Sequence, residues 1–542
     1  MLKRLRQFFR FPGGIHLAHR KEASSEKAIT QLPLPEKLIL PLRQSAGATP
    51  VPIVKAGDKV KKGQRIAAAE GWISASLHAP TSGTVRDVGD YPVAHPSGLA
   101  APSIVIEADG EDAWGERQPF LEQTATEYAR QVFNPERVQH YLQDMGVVGM
   151  GGAVFPSHVK LVKAPGIPLE TLIVNGAECE PFVTCDDRLM RERADEIISG
   201  LIFLTELLGV REALIAIENN KPEAAVAMQN ALAARLESVV HHIRVVIIPA
   251  IYPAGSLKQL VYMLTGKRAP IGVLPTQLGV QCFNVATIHA IWRAVAHGEP
   301  LIRRIVTVTG DVERPGNLEV PLGASIADIL RYAGMRGSAD GCLVGGPMMG
   351  FLLPHGDAPI GKGIHCLIAR SPQLFPPEAP ESPCIRCTSC AEACPQGLLP
   401  YELYWWSRAG DFAKTQRYHI HECIECGCCA YVCPASIPLP QYFRFAKDQL
   451  RAAAKNQEMA DQARERFEFR QFRIEREKAE RAEKLAQAAR AQSAKRAVEQ
   501  AGASSAPPTS EAEAIIAAAV ERTRMAHEAE TIDPKPEPGN PA

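Results

Sequence analysis

Apolar residues along the chain recur in short blocks whose period changes several times. Between residues 30 and 110 the blocks are short and β-rich, such as P-V-P-I-V and G-T-V-R-D-V, with Gly, Pro and Asp between them. Between residues 130 and 300, buried-strand patterns such as T-L-I-V-N, A-L-I-A-I-E-N-N and I-R-V-V-I-I-P alternate with helical stretches at about 190–209, 222–236 and 256–264. The first pattern predicts a β domain, and the second predicts an α/β domain with a largely parallel sheet.

The C-terminal half shows three further patterns. Residues 301–368 begin with an alternating run, a turn at Pro315-Gly316-Asn317 and a return strand, which predicts a hairpin followed by the short helix S-I-A-D-I-L-R-Y-A. Residues 375–445 hold most of the cysteines, with a helical stretch at 401–416 between them. From residue 446 to 542 Ala, Glu, Lys, Arg and Gln dominate, which predicts a tail that is a long solvated helix or a fluctuating one.

Two cysteine runs with the same spacing, C-x2-C-x2-C-x3-C-P, carry the strongest chemical signal. The first run spans residues 384–394 and the second spans 423–433. In two-cluster ferredoxins three thiolates of one run and the last thiolate of the other hold each 4Fe–4S cluster. The ligands expected for cluster 1 are therefore Cys384, Cys387, Cys390 and Cys433, and those for cluster 2 are Cys394, Cys423, Cys426 and Cys429.

Zinc sites and disulfides are the alternatives to iron–sulfur clusters. Zinc sites use two C-x2-C pairs, sometimes with His, and need no third Cys, whereas a disulfide framework is typical of small secreted chains. The doubled spacing therefore favours two 4Fe–4S clusters. Cys428 lies inside the second run and is expected to be a packed neighbour, not a ligand.

Composition narrows the class of protein. The 542 residues include 60 basic and 60 acidic side chains, which argues against a nucleic-acid-binding protein because phosphate binding needs a basic surface. Of the 14 cysteines, eight belong to the two runs, and the scattered remainder indicates a reducing compartment. No apolar run is long enough for a transmembrane helix. The basic start, M-L-K-R-L-R-Q-F-F-R-F, predicts either contact with an anionic membrane or a partner, or a frayed terminus.

Two loops of the α/β region are candidate ligand sites. The loop G-M-G-G-A-V-F-P-S-H-V-K, residues 149–160, is rich in glycine, which lets backbone N–H groups approach a phosphate or ring closely, and a helix is expected to start near Ser157. The loop N-G-A-E-C-E-P follows the strand T-L-I-V-N, at the edge where open α/β sheets bind ligands. A glycine-rich loop alone is weak evidence, and a purely structural loop is the alternative.

Together these segments resemble a known family. G-M-G-G-A-V-F-P-S-H-V-K with V-N-G-A-E-C-E-P resembles the flavin region of the NADH-binding subunit of respiratory complex I. F-P-G-G-I-H, Y-P-A-G-S-L-K-Q-L, V-G-G-P-M-M-G and the paired cysteine runs resemble the RnfC family, also called RsxC, of the Rnf-type ion-translocating electron transport complexes. This resemblance covers roughly residues 11–445.

The resemblance implies a fold of five parts. These are a barrel-sandwich domain similar to biotinyl or lipoyl domains, a Rossmann-like flavin-binding α/β domain, a β-grasp (SLBB) domain, a helical ferredoxin-like domain with two 4Fe–4S clusters, and the low-complexity tail. The expected boundaries are 1–29 for an N-terminal arm, then 30–110, 130–300, 301–368, 375–445 and 446–542. No Lys stands at the expected hairpin tip, Gly71–Ser76, so the barrel-sandwich resemblance implies shape and not a swinging-arm carrier.

The resemblance also implies ligand contacts. Residues implied to contact FMN are Gly149, Gly151, Gly152, Lys160, Asn175, Glu178, Asn284 and Thr287, and residues matching positions that face NADH are Phe155 and Glu180. Two departures stand out: Ala177 replaces an Asp, and Y-P-A-G-S stands where complex I has C-G-E-E-T. Gly345 to Met349 is expected either to approach the flavin or, as the alternative, to be a tight packing loop.

The implied function is that of a peripheral electron-transfer subunit on the cytoplasmic side of a cell inner membrane. NAD(H) would exchange a hydride with FMN, and two 4Fe–4S clusters would carry single electrons; no catalytic acid or base from the protein is expected. Integral-membrane and iron–sulfur or flavin subunits of the same complex are the implied partners. The alternative is an iron–sulfur adaptor or a scaffold without flavin or NADH activity.

Overall fold

The computed structural model describes residues 9–123, 134–270, 272–377, 379–502 and 510–529. The basic segment at residues 1–8, for which membrane or partner contact is one expectation, lies outside the described residues. The arm that follows carries one short helix, Glu22–Ser25, and strand β1, Thr30–Gln31. Ile15 of this arm forms an antiparallel bridge with Tyr252. The arm therefore joins the body of the protein instead of leading away from it.

The first domain consists of two antiparallel sheets. One sheet has the order β2-β8-β7-β4 and the other has the order β3-β5-β6. The strands are β2 Lys37–Pro41, β3 Val51–Pro52, β4 Lys59–Val60, β5 Arg65–Ala68, β6 Leu77–His78, β7 Gly83–Pro92 and β8 Ala100–Ala108. β1 pairs instead with a strand of the third domain, Gly316–Pro321, so the two-sheet domain begins at β2.

The second domain alternates strands and helices around a four-stranded parallel sheet with the order β11-β10-β9-β12. Its strands are β9 Thr171–Gly176, β10 Glu212–Glu218, β11 Ile243–Ile248 and β12 Val280–Asn284. Its α-helices are Phe120–Gln123, Pro135–Asp144, Cys185–Glu192, Ala194–Leu208, Pro222–Ala233, Glu237–Val240, Leu257–Thr265 and Val285–His297. Two 3-10 turns, Val159–Leu161 and Pro275–Leu278, complete it.

Both faces of the parallel sheet are covered. Leu172 and Val174 of β9 pack into a core formed mainly by the helices Ala194–Leu208 and Val285–His297. Ile173, between them in sequence, points to the other face and packs with helix Leu257–Thr265 and with Phe11 of the arm. Successive strand residues point to opposite faces, which explains why this strand is apolar at three consecutive positions, 172–174.

One helix expected from the sequence is a single turn. The helix predicted near Ser157 is only the 3-10 turn Val159–Leu161. Pro165 and Gly166 follow closely, and both residues oppose a longer helix: proline disfavours helical backbone before it, and Gly166 has a positive φ of 71°. The positive helix end expected there is therefore weak.

The third domain is a mixed sheet with the order β1-β14-β13-β17-β15-β16. Its own elements are β13 Arg303–Gly310, β14 Gly316–Pro321, helix Ile326–Ala333, β15 Gly341–Val344, β16 Phe351–Leu352 and β17 Cys366–Arg370. β13 and β14 form the predicted hairpin. Apolar residues of this sheet and of the two-sheet domain form one continuous core, so these two domains pack directly on each other.

The cysteine-rich region is built from short helices. They are Ser389–Glu392, Pro400–Ala409, Phe412–Arg417, the 3-10 turn Ile420–Glu422 and Cys428–Tyr431. The helix predicted over 401–416 is two helices, because Gly410 ends the first with a φ of 72° and the Asp411 side chain caps the second.

The described part of the tail contains two helices, Leu439–Gly502 with 64 residues and Ser510–Ala529. Residues 451–542 form a unit separate from residues 1–450. The side chains described beyond residue 451 are nearly all exposed, which fits the solvated helix predicted from composition. Within the described part of the chain, no helix combines the length and apolar character that crossing a membrane requires.

Candidate functional site

The carboxyl ends of β9 and β12 meet at one edge of the parallel sheet. Asn175 at the end of β9 is in register with Asn284 at the end of β12. The Asn284 side chain caps helix Val285–His297 by accepting from the Ala286 N–H at 2.9 Å, and it donates to Asp186 at 2.6 Å. Asn175 donates to the Gly255 carbonyl at 2.8 Å. The two predicted asparagines therefore shape one edge, beside the start of a 13-residue helix.

The glycine-rich loop lies against this helix start. The Met150 N–H donates to the Thr287 hydroxyl at 2.9 Å, and a Cβ on Gly151 would lie 3.3 Å from the Asn284 Cβ. Gly149 donates to the Phe155 carbonyl at 2.8 Å, which closes the loop on itself. Gly152 has a φ of 105°, and a Cβ added there would meet open space. The loop therefore presents bare backbone to the space beside a helix N-terminus, where an anion is stabilised.

Lys160 lies deeper in the protein than the sequence suggested. Its Nζ donates to the Cys282 carbonyl and lies 4.6 Å from the centre of the Phe283 ring. Burial lowers the pKa of Lys160. In this arrangement the amine anchors the glycine-rich loop to β12, while the role of Lys160 as an FMN contact remains a prediction.

Glu178 forms a compact buried group with Cys185 and Asp186. One carboxylate oxygen of Glu178 accepts from the Asp186 N–H at 2.8 Å and from the Cys185 thiol at 3.4 Å. The other oxygen is buried and lies 3.8 Å from the Lys21 ammonium, with which it forms an ion pair, but within the described residues it accepts no hydrogen bond. Burial, reinforced by the charge of Glu178, raises the pKa of Asp186.

These features fit a flavin mononucleotide. The Glu178 oxygen that lacks a hydrogen bond offers an acceptor for a hydroxyl or N–H, and the open side of Gly152 leaves room for a ligand beside the helix start. The structure brings Asn175, Glu178 and Asn284 into this region together with Gly149, Gly151, Gly152 and Thr287, and their contacts with FMN stay a prediction. The residues that would hold FMN are therefore brought together by two loops and one helix end.

The sequence analysis missed two residues of this region, Lys21 and Asp186. Lys21 of the arm is buried, and its Nζ donates to the backbone carbonyls of Glu178 at 2.6 Å and Val183 at 2.5 Å. Asp186 binds Asn284, as described above. Asp186 follows the N-G-A-E-C-E-P loop at the start of a helix, which is a signal that sequence reasoning had available; Lys21 lies 157 residues from Glu178 and carried none.

Glu180 points toward the third domain. Its carboxylate accepts from the N–H groups of Met348 at 3.1 Å and Met349 at 3.0 Å, and a Cβ on Gly346 would lie only 2.2 Å from it. Burial raises the pKa of Glu180 to about 7. The Gly345–Met349 loop is expected either to approach the flavin or to be a tight packing loop. In the structure it packs tightly against Glu180, a residue of the predicted ligand loop, so the two expectations are compatible.

The ligands expected for cluster 1 line one cavity. Cys384, Cys387, Cys390 and Cys433 share it with Tyr404 and Ile437. Burial raises the pKa of Cys390, and the neighbouring thiols of Cys387, Cys384 and Cys433 raise it further. The last cysteine of the second run therefore faces the first three of the first run. Four thiols around one small cavity are the donor set that a 4Fe–4S cluster needs.

The ligands expected for cluster 2 also converge. Burial raises the pKa of Cys429, and the nearby thiols of Cys423, Cys426 and Cys394 act in the same direction. N–H groups point at two of these sulfurs, from Glu425 to Cys423 and from Leu398 to Cys394, each at 3.4 Å. Such N–H to sulfur bonds stabilise a reduced cluster. The cysteines thus fit two clusters with crossed fourth ligands.

Four family models match the chain in order. They are the RnfC barrel sandwich hybrid domain at residues 9–111, the Nuo51 FMN-binding domain at 142–293, the SLBB domain at 305–352 and the 4Fe-4S dicluster domain at 383–437. The order and kinds of domain predicted from the sequence are confirmed. FMN and iron–sulfur clusters are likewise confirmed as the cofactors for which this chain has domains.

Curated relatives share one description, the C component of an ion-translocating oxidoreductase complex. The protein from Haemophilus influenzae (strain PittEE) is 44% identical over 85% of this chain and 69% of its own length. The protein from Pectobacterium carotovorum subsp. carotovorum (strain PC1) is 45% identical over 85% of this chain and 60% of its own length. The protein from Rhodobacter capsulatus is 45% identical over 82% of this chain and 84% of its own length.

Among solved structures, an NAD+-reducing nickel–iron hydrogenase in the H2-reduced state is similar to this chain with a TM-score of 0.42. The two are 19% identical over 58% of this chain and 63% of that one. The resemblance drawn from the motifs is confirmed by the curated relatives and by the matched domains. The chain belongs to the RnfC family, the C components of ion-translocating oxidoreductase complexes.

Proposed function

We propose that the chain exchanges electrons with NAD(H) through FMN and passes them singly through clusters 1 and 2 within an ion-translocating membrane complex. The chain is an electron-transfer subunit by family and by its FMN-binding and dicluster domains. The observation that carries the proposal is the packing of the predicted ligand loop against the cluster region. Glu180 holds the Met348–Met349 backbone, and Met348 in turn lies against Gly427 of the second cysteine run.

FMN supplies the link between the two kinds of chemistry, because a bound flavin takes two electrons as a hydride and releases them one at a time. The protein's own residues bind and orient. The open backbone at Gly152 and the helix start capped by Asn284 suit the phosphate, and Glu178 offers the rest of the ligand the oxygen that accepts no hydrogen bond from the described residues. No acid or base from the protein is assigned to the transfer.

Phe155 and Glu180 are assigned to the nicotinamide side. Two N–H groups hold the Glu180 carboxylate in one orientation, and burial raises its pKa to about 7. A carboxyl group with that pKa is partly protonated near neutrality, so it can donate to as well as accept from a nicotinamide amide. We assign it the positioning of the nicotinamide and not a proton transfer.

The proposal places the chain at the cytoplasmic face of the inner membrane, held there by its partners. Other subunits of the same complex are partners by family. Ion translocation is assigned to those subunits. The first cofactor-binding partner after this chain is expected to be an iron–sulfur or flavin subunit, because the clusters deliver one electron at a time.

Anaerobic purification with iron, sulfide and flavin analysis, followed by NADH titration, tests the proposal. The expected result is bound FMN whose absorbance bleaches on NADH addition. Gly151→Val should lower FMN content, since the added side chain would press on Asn284, 3.3 Å from the position of its Cβ. Gly337→Val is the matched control, because a Cβ at Gly337 meets open space and that residue has no positive φ.

Glu180→Gln separates the flavin from the nicotinamide. The expected result is retained FMN and weaker NADH binding, since the amide keeps the size of the carboxyl but changes its charge and one hydrogen bond. Full FMN content in folded Gly151→Val would show that the flavin site is misplaced. FMN that NADH never bleaches, with partner subunits present, would show that the chain is an adaptor without NADH activity.

A further inference from the structure

The flavin-binding domain touches the cluster region through Tyr252. This residue lies in the loop between β11 and helix Leu257–Thr265 and is buried. Its hydroxyl donates to the backbone carbonyl of Cys426 at 2.7 Å. Its backbone is fixed by two hydrogen bonds with Ile15 of the arm, at 2.9 and 3.0 Å. The arm therefore fixes the backbone of Tyr252, while the Tyr252 hydroxyl binds a segment that carries a ligand of cluster 2.

A second contact reaches the next residue of the same run. A Cβ on Gly427 would lie 3.0 Å from the Met348 carbonyl, so this loop and the Gly345–Met349 loop are in close contact. The Met348 N–H is bound to Glu180 of the predicted ligand loop. Glu180, Met348 and Gly427 thus form a short path of touching groups from the flavin side to cluster 2.

Further contacts lie beside two more ligands of cluster 2. The Gly14 N–H donates to the Ala393 carbonyl at 3.1 Å, beside Cys394, and the Gln259 side chain donates to the Pro395 carbonyl at 3.1 Å. Lys258 forms an ion pair with Glu422, which precedes Cys423. Cys394, Cys423 and Cys426 are therefore each adjacent to a contact with the arm or the α/β domain.

Cluster 1 has different surroundings. Residues 385–388 of the first run are exposed, and Ile385 is exposed to 69%. Arg386 lies over the Trp405 ring, and Thr388 donates to the Cys387 carbonyl, so their contacts stay within the cluster region. In the described part of the chain these four residues make no hydrogen bond or ion pair to the α/β or β-grasp domain.

We propose that cluster 2 is the cluster that exchanges electrons with the flavin, that cluster 1 is the outer cluster, and that Tyr252 positions cluster 2 for this transfer. Each step moves one electron: the reduced flavin loses one and cluster 2 gains it, then cluster 2 loses it and cluster 1 gains it. The flavin's second electron follows the same route, its protons pass to water, and the reverse flow uses the same order. The rate of electron tunnelling falls steeply with distance, so the cluster that lies against the flavin-binding domain is the first to exchange electrons with the flavin.

This inference rests on the proposed function, and its test avoids NADH so that the two can fail separately. The flavin of the holoprotein is photoreduced with a deazaflavin sensitiser, and cluster signals are followed by freeze-quench EPR. Two variants isolate the clusters: Cys387→Ala removes cluster 1, and Cys423→Ala removes cluster 2. The cluster 2 signal is expected to appear first in the wild type and to appear still in Cys387→Ala, whereas cluster 1 in Cys423→Ala should be reduced many-fold more slowly.

Tyr252→Phe keeps the ring and removes the hydroxyl, which provides a test that does not depend on losing a cluster. The expected result is a lower reduction potential for cluster 2 alone, because a hydrogen bond that draws electron density from a ligand segment stabilises the reduced cluster. Tyr404→Phe is the matched control, since Tyr404 lines the cluster 1 cavity and its hydroxyl contacts Glu381 at 3.1 Å. It should leave the cluster 2 potential unchanged.

Earlier reduction of cluster 1 than of cluster 2 would overturn the order. An unchanged cluster 2 potential in Tyr252→Phe, with flavin-to-cluster transfer also unchanged, would overturn the role of Tyr252. If photoreduced flavin feeds cluster 2 first but NADH never reduces the flavin, the order stands and the proposed NADH activity fails.

Discussion

The two cysteine runs share spacing and backbone conformation but differ in their surroundings. Arg386 and Glu425 occupy equivalent positions with φ values of 56° and 57°, and Thr388 and Gly427 do so with 65° and 80°. Yet residues 385–388 are exposed, whereas the equivalent residues 424–427 are half-buried or buried. Two copies of one motif therefore present one cluster to solvent and one to the rest of the protein.

The residue differences between the copies follow this difference in surroundings. Thr388 is exposed, so its side chain costs nothing beyond its left-handed backbone. Gly427 faces the Met348 carbonyl, and only glycine avoids a Cβ at 3.0 Å from that oxygen. Cys428, the thiol that is not an expected ligand, is fully buried and packs in a hydrophobic core with Ile15 and Tyr252. This position fits a packed neighbour and not a ligand. Gly427 and Cys428 of the second run are therefore residues that suit the groups packed against that run.

The largest effect, loss of a whole cluster, is expected from replacing Cys433, the ligand that the second run contributes to cluster 1. Cys433→Ala should remove cluster 1, which the first run holds, and leave cluster 2, because Cys433 lines the cavity of Cys384, Cys387 and Cys390. Iron analysis should then give about four irons per chain instead of about eight. Cys428→Ala is the control and should keep both clusters. Loss of the cluster 2 EPR signal in Cys433→Ala would contradict the crossed ligation.

The second effect tests whether the groups packed against the second run require glycine at position 427. Gly427→Thr should destabilise the protein by about 1–2 kcal/mol from left-handed strain alone, and further because its side chain meets Met348. The reciprocal Thr388→Gly relieves the same left-handed strain at an exposed position, partly offset by the chain entropy of glycine, and should stabilise the protein by about 1 kcal/mol or less. Anaerobic denaturant titration and the rate of cluster loss in air measure both. Effects of equal size and opposite sign from the two substitutions would mean that the runs have equivalent surroundings.

The third effect is a pH dependence of the stability of the fold, which should affect the retention of both clusters alike. Lys362 is buried and donates to the carbonyls of Ser76 and Gly146, at 3.0 and 2.7 Å. Burial lowers its pKa from 10.5 to about 7. At this side chain the unfolded chain therefore binds more protons than the folded one between these values, so the contribution of Lys362 to stability should rise with pH there, by about 1.4 kcal/mol per pH unit.

Denaturant titrations of wild type and Lys362→Met from pH 7 to 10 measure this slope. The slope should be smaller in the variant by that amount. Nearby His78, whose pKa burial lowers well below 6.5, is neutral throughout this window and does not contribute. A pH effect confined to one cluster, or a variant with the wild-type slope, would refute this assignment.

The smallest effect concerns the charge beside cluster 2. Lys447 donates to the Cys423 carbonyl at 2.6 Å and to Glu425 at 2.7 Å. Lys447→Met should lower the cluster 2 potential slightly, because a positive charge stabilises the reduced cluster, and should leave cluster 1 unchanged. Arg444→Met is the matched control, since Arg444 contacts Glu425 at 2.9 Å but no cluster ligand. An EPR-monitored redox titration that shifts cluster 1 in Lys447→Met would reverse the comparison.

Much of the fold was predictable because its signals are local. The strand T-L-I-V-N, the hairpin around Pro315 and the doubled cysteine spacing each depend on neighbouring residues only. Tyr252 and Lys21 act over 174 and 157 residues, so no local pattern revealed their contacts. The helix expected near Ser157 was wrong as a full helix because Pro165 and Gly166 stop it early. Periodicity describes faces of elements, while the site depends on which elements meet.

Anomalous diffraction at the iron edge from crystals of anaerobically purified, FMN-loaded protein tests the central claim most directly. Two four-iron peaks are expected, one enclosed by Cys394, Cys423, Cys426 and Cys429 beside Tyr252, and one enclosed by Cys384, Cys387, Cys390 and Cys433. The account predicts that the peak beside Tyr252 lies nearer the flavin. A flavin nearer to the peak enclosed by Cys384, Cys387, Cys390 and Cys433 would contradict it.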